Sequence, residues 1–596
     1  MNIRYLLCLL LLCISPAYAL VYKAKITGVP NSALKREMMN SSLIISSPDK
    51  QVATLNVLRL RVKNDIERIK NTAVFFGYYN CSVEPIISES ATPNIEFAVS
   101  LGDPFTLGTL TLLWSDQDIA EQDARSRGRL DQLKGPSPED MSSFEKGERA
   151  LGSSILALDK ELTRALRCRG FAFCKLIAKK IQADRQTNQV NIGLEVQTGP
   201  LVRFGSTHIL GNTKVNKQVF KAYQTWKEGE RYTPEQLENT ETALIKSGLF
   251  DTVQIEESDQ IEKNWSVPII FRVSDAKPRT VGAGISYMTT YGAGVSAQWE
   301  HRNINGLGRK LSAQTALWQK QRSATLSYTI PHFKSKKQDL LWILEYDAQN
   351  YLPFTSSAVQ ASALLNRRLH RTTSILFGPS VERLESKKIL SHQLYHLFKF
   401  PVQIRWSCAN SPLDPTHGMA LNVRLTPTWQ YIDPRFSYLI HSSALSLYHS
   451  FAKESITLAA RFGFSNIVGA DKNTIPLPDR LFGGSENALR GYKTGSVSHL
   501  NEEAKPLGGR SMLTGSFEVR LRSEEKMGWV AFYDVGNVYS AQIPPLDQLS
   551  LLHSCGLGAR YTTPIGPIRL DIAFPLQRRK GIDPIFQIYF SIGQAF

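Results

Sequence analysis

The chain has 596 residues, of which 70 are Lys or Arg and 53 are Asp or Glu, giving a formal charge of +17. At about 150 residues per domain, this length excludes a single core and predicts several units. A hydrophobic fraction of 42% and a charged fraction of 21% exclude neither a soluble protein nor a membrane protein that hides its apolar face by alternation.

Residues 1–19 are predicted to be a signal peptide. A basic start at Arg4 is followed by an apolar run from Leu6 to Ile14 and a small-residue site ending at Ala19. The run is shorter than the roughly 18 residues that a membrane-spanning helix needs, which argues against an anchor. An exported protein does not meet nucleic acid, so the remaining partners for its positive charge are anionic lipid and acidic client proteins.

The five cysteines that follow the signal peptide form an odd and scattered set, which predicts no disulfide framework. Two of them, Cys168 and Cys174, are close enough in sequence to bridge in an oxidising compartment, but two free thiols fit as well.

Between residues 20 and 277 one pattern occurs three times: a helical stretch ends on glycine, and two strands follow. The glycines are Gly77, Gly170 and Gly248, and each suits the left-handed position just past a helix end. Repetition at this period predicts an array of α+β modules. The predicted modules span 20–102, 103–199 and 200–277.

Residues 278–596 carry alternating strands separated by turns. In the last of them, Phe586, Ile588, Phe590, Ile592 and Phe596 share one face that suits lipid, while polar residues occupy the other. A soluble sandwich would also alternate over one strand, but the pattern persists to the end of the sequence. At roughly 20 residues per strand and connection, it predicts a transmembrane antiparallel β-barrel of about 16 strands.

A long insertion between two of these strands carries the densest motif, residues 480–492. Its marked positions are Gly483, Gly484, Arg490, Gly491 and Tyr492. Such a stretch could be an anion-binding loop or a flexible surface loop, but no strand and helix frame it as a phosphate cradle.

This motif resembles the sixth loop of the BamA/TamA superfamily, in which an Arg-Gly-aromatic tip folds into the barrel. Further segments resemble the superfamily's barrel, and the three repeats resemble POTRA domains. The resembling barrel segments are 299–308, 413–418, 532–538 and 556–570. Three POTRA units and the run 563–567 are similar to the TamA family in particular.

The resemblance implies an assembly factor of the Gram-negative outer membrane, with POTRA units in the periplasm, that promotes insertion or translocation of autotransporter-type and other barrel proteins. It also implies three partners: a TamB-like inner-membrane-anchored protein at the POTRA units, unfolded outer-membrane protein clients, and outer-membrane lipid. The alternatives are a two-partner-secretion-type transporter that exports a specific protein, and a conduit in lipid transport to the outer membrane.

An enzyme is not expected. The sequence has neither a Gly-x-Ser-x-Gly elbow nor a His-Glu-x-x-His motif, so we predict no catalytic residues, no metal and no cofactor.

The partners of Arg490 can be predicted from strand periodicity. Period-2 counting points Glu518 and Asp534 to the face that would line the lumen. If the loop folds inward as in the resembled family, an unpaired guanidinium would be costly there. We therefore predict an Arg490 pair with Asp534, supported by Glu518, against the alternative of a solvent-exposed arginine on a mobile loop.

A seam between the first and last barrel strands is the second predicted site. Glycines in the first strand offer little side-chain packing and weaken it. The resemblance implies that client strands pair with an edge opened there. The predicted seam residues are Val281, Gly282, Gly284, Ile588, Phe590 and Phe596.

Overall fold

The computed structural model divides the chain into two compact units. One unit contains residues up to 210 together with 224–241 and 254–272, and the other contains 211–223, 242–253 and 273–596. The predicted signal peptide lies outside the described residues. The structure describes residues 20–47, 51–88, 90, 92–114, 142–262, 264–288, 292–350, 354–388, 391–451, 454–522, 526–545, 547, 549–563, 566–592 and 594–596.

The amino-terminal part contains three similar three-stranded sheets, each accompanied by helices. The first set comprises β1 (Leu20–Val21), β2 (Lys23–Thr27), α1 (Ser32–Ser41), α2 (Leu43–Ser46), β3 (Gln51–Val52), α3 (Leu55–Phe75), β4 (Ser82–Ser88) and β5 (Asn94–Ser100). The second comprises β6 (Thr106–Trp114), α4 (Gly152–Cys168), β7 (Lys175–Asp184) and β8 (Gln189–Gln197). The third comprises β9 (Arg203–Leu210), α5 (Lys217–Tyr223), α6 (Pro234–Lys246), β10 (Phe250–Glu257) and β11 (Ser266–Asp275).

In each sheet the last strand is central and pairs in parallel with the first. The orders are β2-β5-β4, β6-β8-β7 and β10-β11-β9. Gly77, Gly170 and Gly248 all have positive φ, from 67° to 98°, as expected just past a helix end. The three repeats read from the sequence are therefore three sheets of one topology.

The second module shows how the pattern builds a core. Along α4 the apolar residues Ile155, Leu158, Leu162 and Leu166 recur every three or four positions and are buried. They share a cluster with the alternate residues of β8 from Val190 to Val196. The apolar face of α4 thus packs against one face of β8.

The described cysteines are all free, so Cys168 and Cys174 do not bridge. Burial raises the pKa of the Cys174 thiol to about 11, which keeps it in the unreactive protonated form at neutral pH.

The described residues from 279 onward form one antiparallel, barrel-like sheet of eighteen segments in sequence order. The segments are β12 (Arg279–Met288), β13 (Gly292–Ile304), β14 (Arg309–Trp318), β15 (Gln321–Ile330), β16 (Gln338–Asn350), β17 (Thr355–Arg368), β18 (Thr373–Phe377), β19 (Ser380–Lys388), β20 (Ser391–Lys399), β21 (Val402–Ser407), β22 (Gly418–Gln430), β23 (Phe436–Phe451), β24 (Ile456–Gly469), β25 (Ser511–Arg522), β26 (Met527–Tyr539), β27 (Leu552–Thr563), β28 (Gly566–Pro575) and β29 (Gln587–Ile592).

Two strands of this sheet are interrupted at prolines. β18 and β19 both pair with β17, on either side of Gly378 and Pro379, and β20 and β21 both pair with β22, on either side of Pro401. Proline cannot donate to a ladder, and Gly378 lies against the carbonyl of Ala363, where a Cβ would clash. Each break divides one course of the sheet into two segments.

Alternation along the strands separates two faces. In β26, Trp529 and Tyr533 are exposed on one face, while Phe532 and Asp534 are buried on the other. None of the helices in the described residues is long and apolar enough to cross a membrane.

Candidate functional site: the buried arginine of the 470–510 loop

The loop that joins β24 to β25 spans residues 470–510. Isolated antiparallel bridges fold it on itself: Leu481 pairs with Gly509, and Gly483 with Val497. Gly484 has φ +87° and lies so close to the Lys493 carbonyl oxygen, 2.5 Å from an ideal Cβ, that only glycine fits. The loop is therefore an ordered hairpin-like structure.

Arg490, which is 1% exposed, lies at the tip of this loop. Its Nε and Nη2 donate to the two oxygens of Asp534, both at 2.8 Å, and its Nη1 donates to Glu518 Oε1 at 2.6 Å. The backbone amide of Arg490 also donates to Asp534 Oδ2 at 2.9 Å. The structure thus brings Arg490 together with both carboxylates predicted from the sequence, in a bidentate geometry with Asp534.

The pair belongs to a larger ionic network, whose other members were not predicted from the sequence. Asp571 lies 3.4 Å from Arg490 Nη1 and also pairs with Arg560. Arg520 pairs with Glu518 at 2.8 Å, and Arg569 Nε lies 3.6 Å from Asp571. Four guanidinium groups therefore face three carboxylates, and all seven side chains are buried.

Aromatic side chains close the site. The Arg490 guanidinium carbon lies 3.6 Å from the centroid of the Phe532 ring, a cation–π contact. Gly491 N donates to the Tyr589 hydroxyl at 3.0 Å, and the Tyr492 hydroxyl donates to the His553 carbonyl at 2.9 Å. The Arg-Gly-Tyr tip is therefore bound to strands β26, β27 and β29 at once.

The electrostatics of the site favour a charged arginine. Burial lowers the pKa of the Arg490 guanidinium, but the charge and hydrogen bonds of Asp534, followed by Glu518 and Asp571, raise it above its ordinary value. With water excluded, removing one partner would leave the others buried and uncompensated. The arrangement holds a loop in place; the described residues contain no cluster of His, Cys, Asp or Glu that could hold a metal ion.

A second ion pair fixes the start of the loop. Asp479 lies 3.2 Å from Lys399 Nζ on β20, and it accepts a hydrogen bond from the Tyr438 hydroxyl at 2.5 Å. Lys399 also binds Glu382 at 2.5 Å. The loop is thus attached to two regions of the sheet, around β20 and around β26.

The additional members of the network could have been read from strand parity. Arg520 lies two residues after Glu518 on β25, and Arg569 lies two residues before Asp571 on β28. Charged residues two apart in otherwise apolar strands indicate an ionic interior face. Which charges meet across the interior depends on the registers of four strands and cannot be read from one strand.

The seam residues lie at the two edges of the sheet. Val281 and Ile285 on β12 are 76% and 90% exposed, while Gly282 and Gly284 face Gln298 and Ser296 on β13. β12 and β29 approach within 8 Å between Cα atoms, but no ladder joins them in the described residues. The sheet is therefore open at this edge.

The last strand differs from expectation at its end. Ile588 and Phe590 are exposed as predicted, but β29 ends at Ile592 and Phe596 leaves the sheet. Arg520 Nη2 donates to the Phe596 carbonyl oxygen at 3.0 Å, and the guanidinium lies 5.4 Å from the ring centroid. A buried guanidinium requires acceptors, and Phe596 supplies one instead of continuing the apolar face.

Comparison with known proteins shows which families two segments of the chain resemble. Residues 303–596 match the family model described as the Omp85 superfamily domain, and residues 202–275 match the POTRA model, described as a surface antigen variable number repeat. The chain therefore contains a segment similar to POTRA repeats, followed by a segment similar to Omp85 superfamily domains.

Individual relatives are distant. The chain is 22% identical over 520 residues to the outer membrane protein assembly factor BamA of Nitratidesulfovibrio vulgaris and 23% identical over 440 residues to that of Neorickettsia risticii. These alignments cover 84% and 68% of this chain but 63% and 57% of the relatives, so the chain spans about three fifths of their length. The crystal structure of BamA from Haemophilus ducreyi lacking POTRA domains 1–3 has the same fold, with a TM-score of 0.66 at 16% identity over 81% of this chain and 99% of that one.

Proposed function

We propose that the protein is a TamA-like assembly factor of the Gram-negative outer membrane. In this proposal three periplasmic POTRA units precede a transmembrane barrel, which promotes insertion or translocation of autotransporter-type and other barrel proteins. A TamB-like inner-membrane-anchored partner docks on the POTRA units. The work requires no covalent chemistry, so we propose that the protein is not an enzyme.

The observation that carries this proposal is the open edge between β12 and β29. Every other neighbouring pair in the sheet of the described residues is hydrogen bonded, while these two strands come close without a ladder. Unpaired strand edges are templates for another strand. An unfolded client strand could add to this edge and begin a new sheet.

Further features support the architecture. Three sheets of one topology support three POTRA units, although the family model matches residues of the third alone. Counting each proline-broken pair of segments as one strand reduces eighteen segments to sixteen, an even number as expected of bacterial barrels. The exposed apolar face of strands such as β26 suits lipid.

In this scheme Arg490 holds the 470–510 loop inside the barrel. The tip binds β26 and β29, the latter being one edge of the seam. The loop then supports the β29 edge from within while β12 moves.

Crosslinking the seam tests the proposal. In a background in which the five cysteines are replaced, a panel of cysteine pairs would join residues 281–285 to residues 588–590. We expect crosslinked protein to remain folded in the membrane and to lose client assembly, with recovery after reduction. Full activity in a fully crosslinked pair would exclude client entry at this seam.

Site-specific photocrosslinking in cells identifies the partners. A photoreactive residue at Ile588 should capture barrel clients, and one at Ile86, exposed on the edge strand β4, should capture the inner-membrane partner. Deleting residues 20–102 should spare barrel insertion and abolish co-purification of the inner-membrane partner. A single secreted protein at Ile588 would instead favour a dedicated secretion transporter.

A further inference from the structure

A basic cluster lies at one end of strands β15 to β18, on the turns 331–337 and 369–372. Residues 331–339 and 367–372 contain six Lys or Arg and one carboxylate, Asp339. The six basic side chains are all exposed. They are Lys334, Lys336, Lys337, Arg367, Arg368 and Arg371.

This cluster is presented by an ordered turn. Arg368 N donates to the Lys337 carbonyl at 2.7 Å, and Arg368 Nη2 donates to the Lys336 carbonyl at 3.1 Å. His332 N donates to Asp339 Oδ1 at 3.1 Å, and its ring packs edge-on against Tyr223 of α5 at 4.5 Å. The one carboxylate is thus engaged in holding the turn, while all six basic residues remain exposed.

An apolar groove of about 400 Å³ lies farther along the same part of the sheet. Its floor is formed by Ala361 and Ala363 of β17, and its walls by Trp342 and Leu344 of β16 on one side and Val381 of β19 on the other. The small residues make a depression between larger side chains that are about half exposed.

The groove and the cluster are aligned. Strand alternation puts Arg367 on the same face of β17 as Ala363, four residues away, which is roughly 13 Å at 3.3 Å per residue. One leaflet of a bilayer core is about 15 Å deep, half of a 30 Å core. The two features therefore match the phosphate and the acyl chains of one lipid.

We infer that this surface is a binding site for an anionic phospholipid, with the headgroup phosphate on the basic cluster and an acyl chain in the groove. The inference rests on the proposed embedding of the sheet in a membrane. An acidic polypeptide could also bind six basic side chains, but it would not use an apolar groove in line with them. The site would hold lipid on the wall of the sheet that lies away from the seam.

Tryptophan quenching tests the site in the full-length protein. Detergent-purified protein would be titrated with phosphatidylglycerol or phosphatidylcholine carrying brominated acyl chains, and the Trp342 signal isolated by difference from Trp342→Phe. Each basic residue near a lipid surface strengthens anionic-lipid binding by about fivefold. We expect half-maximal quenching of Trp342 at a concentration of phosphatidylglycerol at least about tenfold lower than that of phosphatidylcholine. At Trp529 on β26 we expect the two concentrations to be equal.

Charge and groove variants locate the effect. Lys337→Gln, Arg367→Gln and Arg371→Gln together should abolish the preference. The matched triple Lys320→Gln, Arg322→Gln and Lys387→Gln, at the opposite end of this part of the sheet, should retain it. Ala361→Phe should fill the groove and weaken binding of phosphatidylglycerol, whereas Val295→Phe on the exposed face of β13 should not.

The outcomes separate this inference from the proposed function. Equal quenching of Trp342 by both lipids, or equal loss in the two triple variants, would overturn the lipid site and leave the membrane assignment standing. If neither lipid quenches Trp342 or Trp529, the membrane assignment itself would be overturned. If both lipids quench Trp342 equally and polyglutamate displaces phosphatidylglycerol, the cluster would instead be a site for acidic polypeptides.

Discussion

The two edges of the large sheet are built differently, although each edge strand is paired on one side only. β12 presents Gly282 and Gly284 toward its one neighbour, so few side chains support it. β29 is supported from within by Tyr589, whose hydroxyl accepts from Gly491 at the loop tip. The strength of an edge is thus decided by what its inward residues can reach, and β12 is the edge expected to move.

Removing the arginine at the loop tip should weaken the β29 side most. Arg490→Ala would leave Asp534 and Glu518 buried without their partner, and breaking a buried pair typically costs about 3 to 5 kcal/mol. We expect the barrel to remain in the membrane, the loop to become cleavable by external protease, and client assembly to fall.

Two variants calibrate this experiment. Lys505→Ala removes an exposed pair with Glu503 on the same loop and should change protease resistance little, because surface pairs are worth about 0 to 1 kcal/mol. The double swap Arg490→Asp with Asp534→Arg should restore part of the resistance. An Arg490→Ala protein as resistant as wild type would show that the pair does not anchor the loop.

Arg520 connects the network to the end of the chain and should have an intermediate effect. Arg520→Met keeps most of the side-chain volume, leaves Glu518 paired with Arg490, and frees the Phe596 carbonyl. Loss of hydrogen bonds from a buried charged group costs about 1 to 3 kcal/mol. Hydrogen exchange should increase at 594–596 and at the end of β29, with the loop still protease-resistant. Unchanged exchange there would contradict a role for Arg520 in holding this segment.

Gly491 and Gly495 form a matched pair for the steric fit of the tip. Both have positive φ, but a Cβ at Gly491 would lie 3.0 Å from backbone atoms of Phe574 and Pro575, while nothing lies within 4 Å at Gly495. Gly495→Ala should cost about 1 to 2 kcal/mol from conformation alone. Gly491→Ala should cost more and expose the loop to protease. Equal resistance of the two variants would mean that the tip is not closely packed on β28.

The smallest effect is expected from a substitution in the edge strand β12. Gly284→Ala places a methyl group against the Ser296 hydroxyl, which can rotate away, and alanine is favoured over glycine in a strand by about 0.5 to 1 kcal/mol. We expect slower hydrogen exchange in β12 and reduced client assembly. Gly193→Ala in the central strand β8 should stabilise its module without affecting assembly. Undiminished assembly in a slower-exchanging Gly284→Ala protein would argue against β12 as the moving edge.

Much of this protein can be read from the sequence because the information is local. Apolar spacing and helix-ending glycines such as Gly77 and Gly170 indicate the modules, and period-2 alternation in β25 and β26 identifies Glu518 and Asp534 as inward-facing. The loop motif together with the family resemblance was enough to predict the carboxylates that Arg490 meets.

Tertiary structure alone decided the rest, because those contacts depend on register between strands far apart in sequence. Asp571 joins Arg490 from 81 residues away, and Arg520 meets the Phe596 carbonyl from 76 residues away. Strand parity gives the face of a residue but not its height along the sheet or its partner across the interior. The inward course of Phe596 and the alignment of a basic turn with an apolar groove therefore became visible only when the strands were placed side by side.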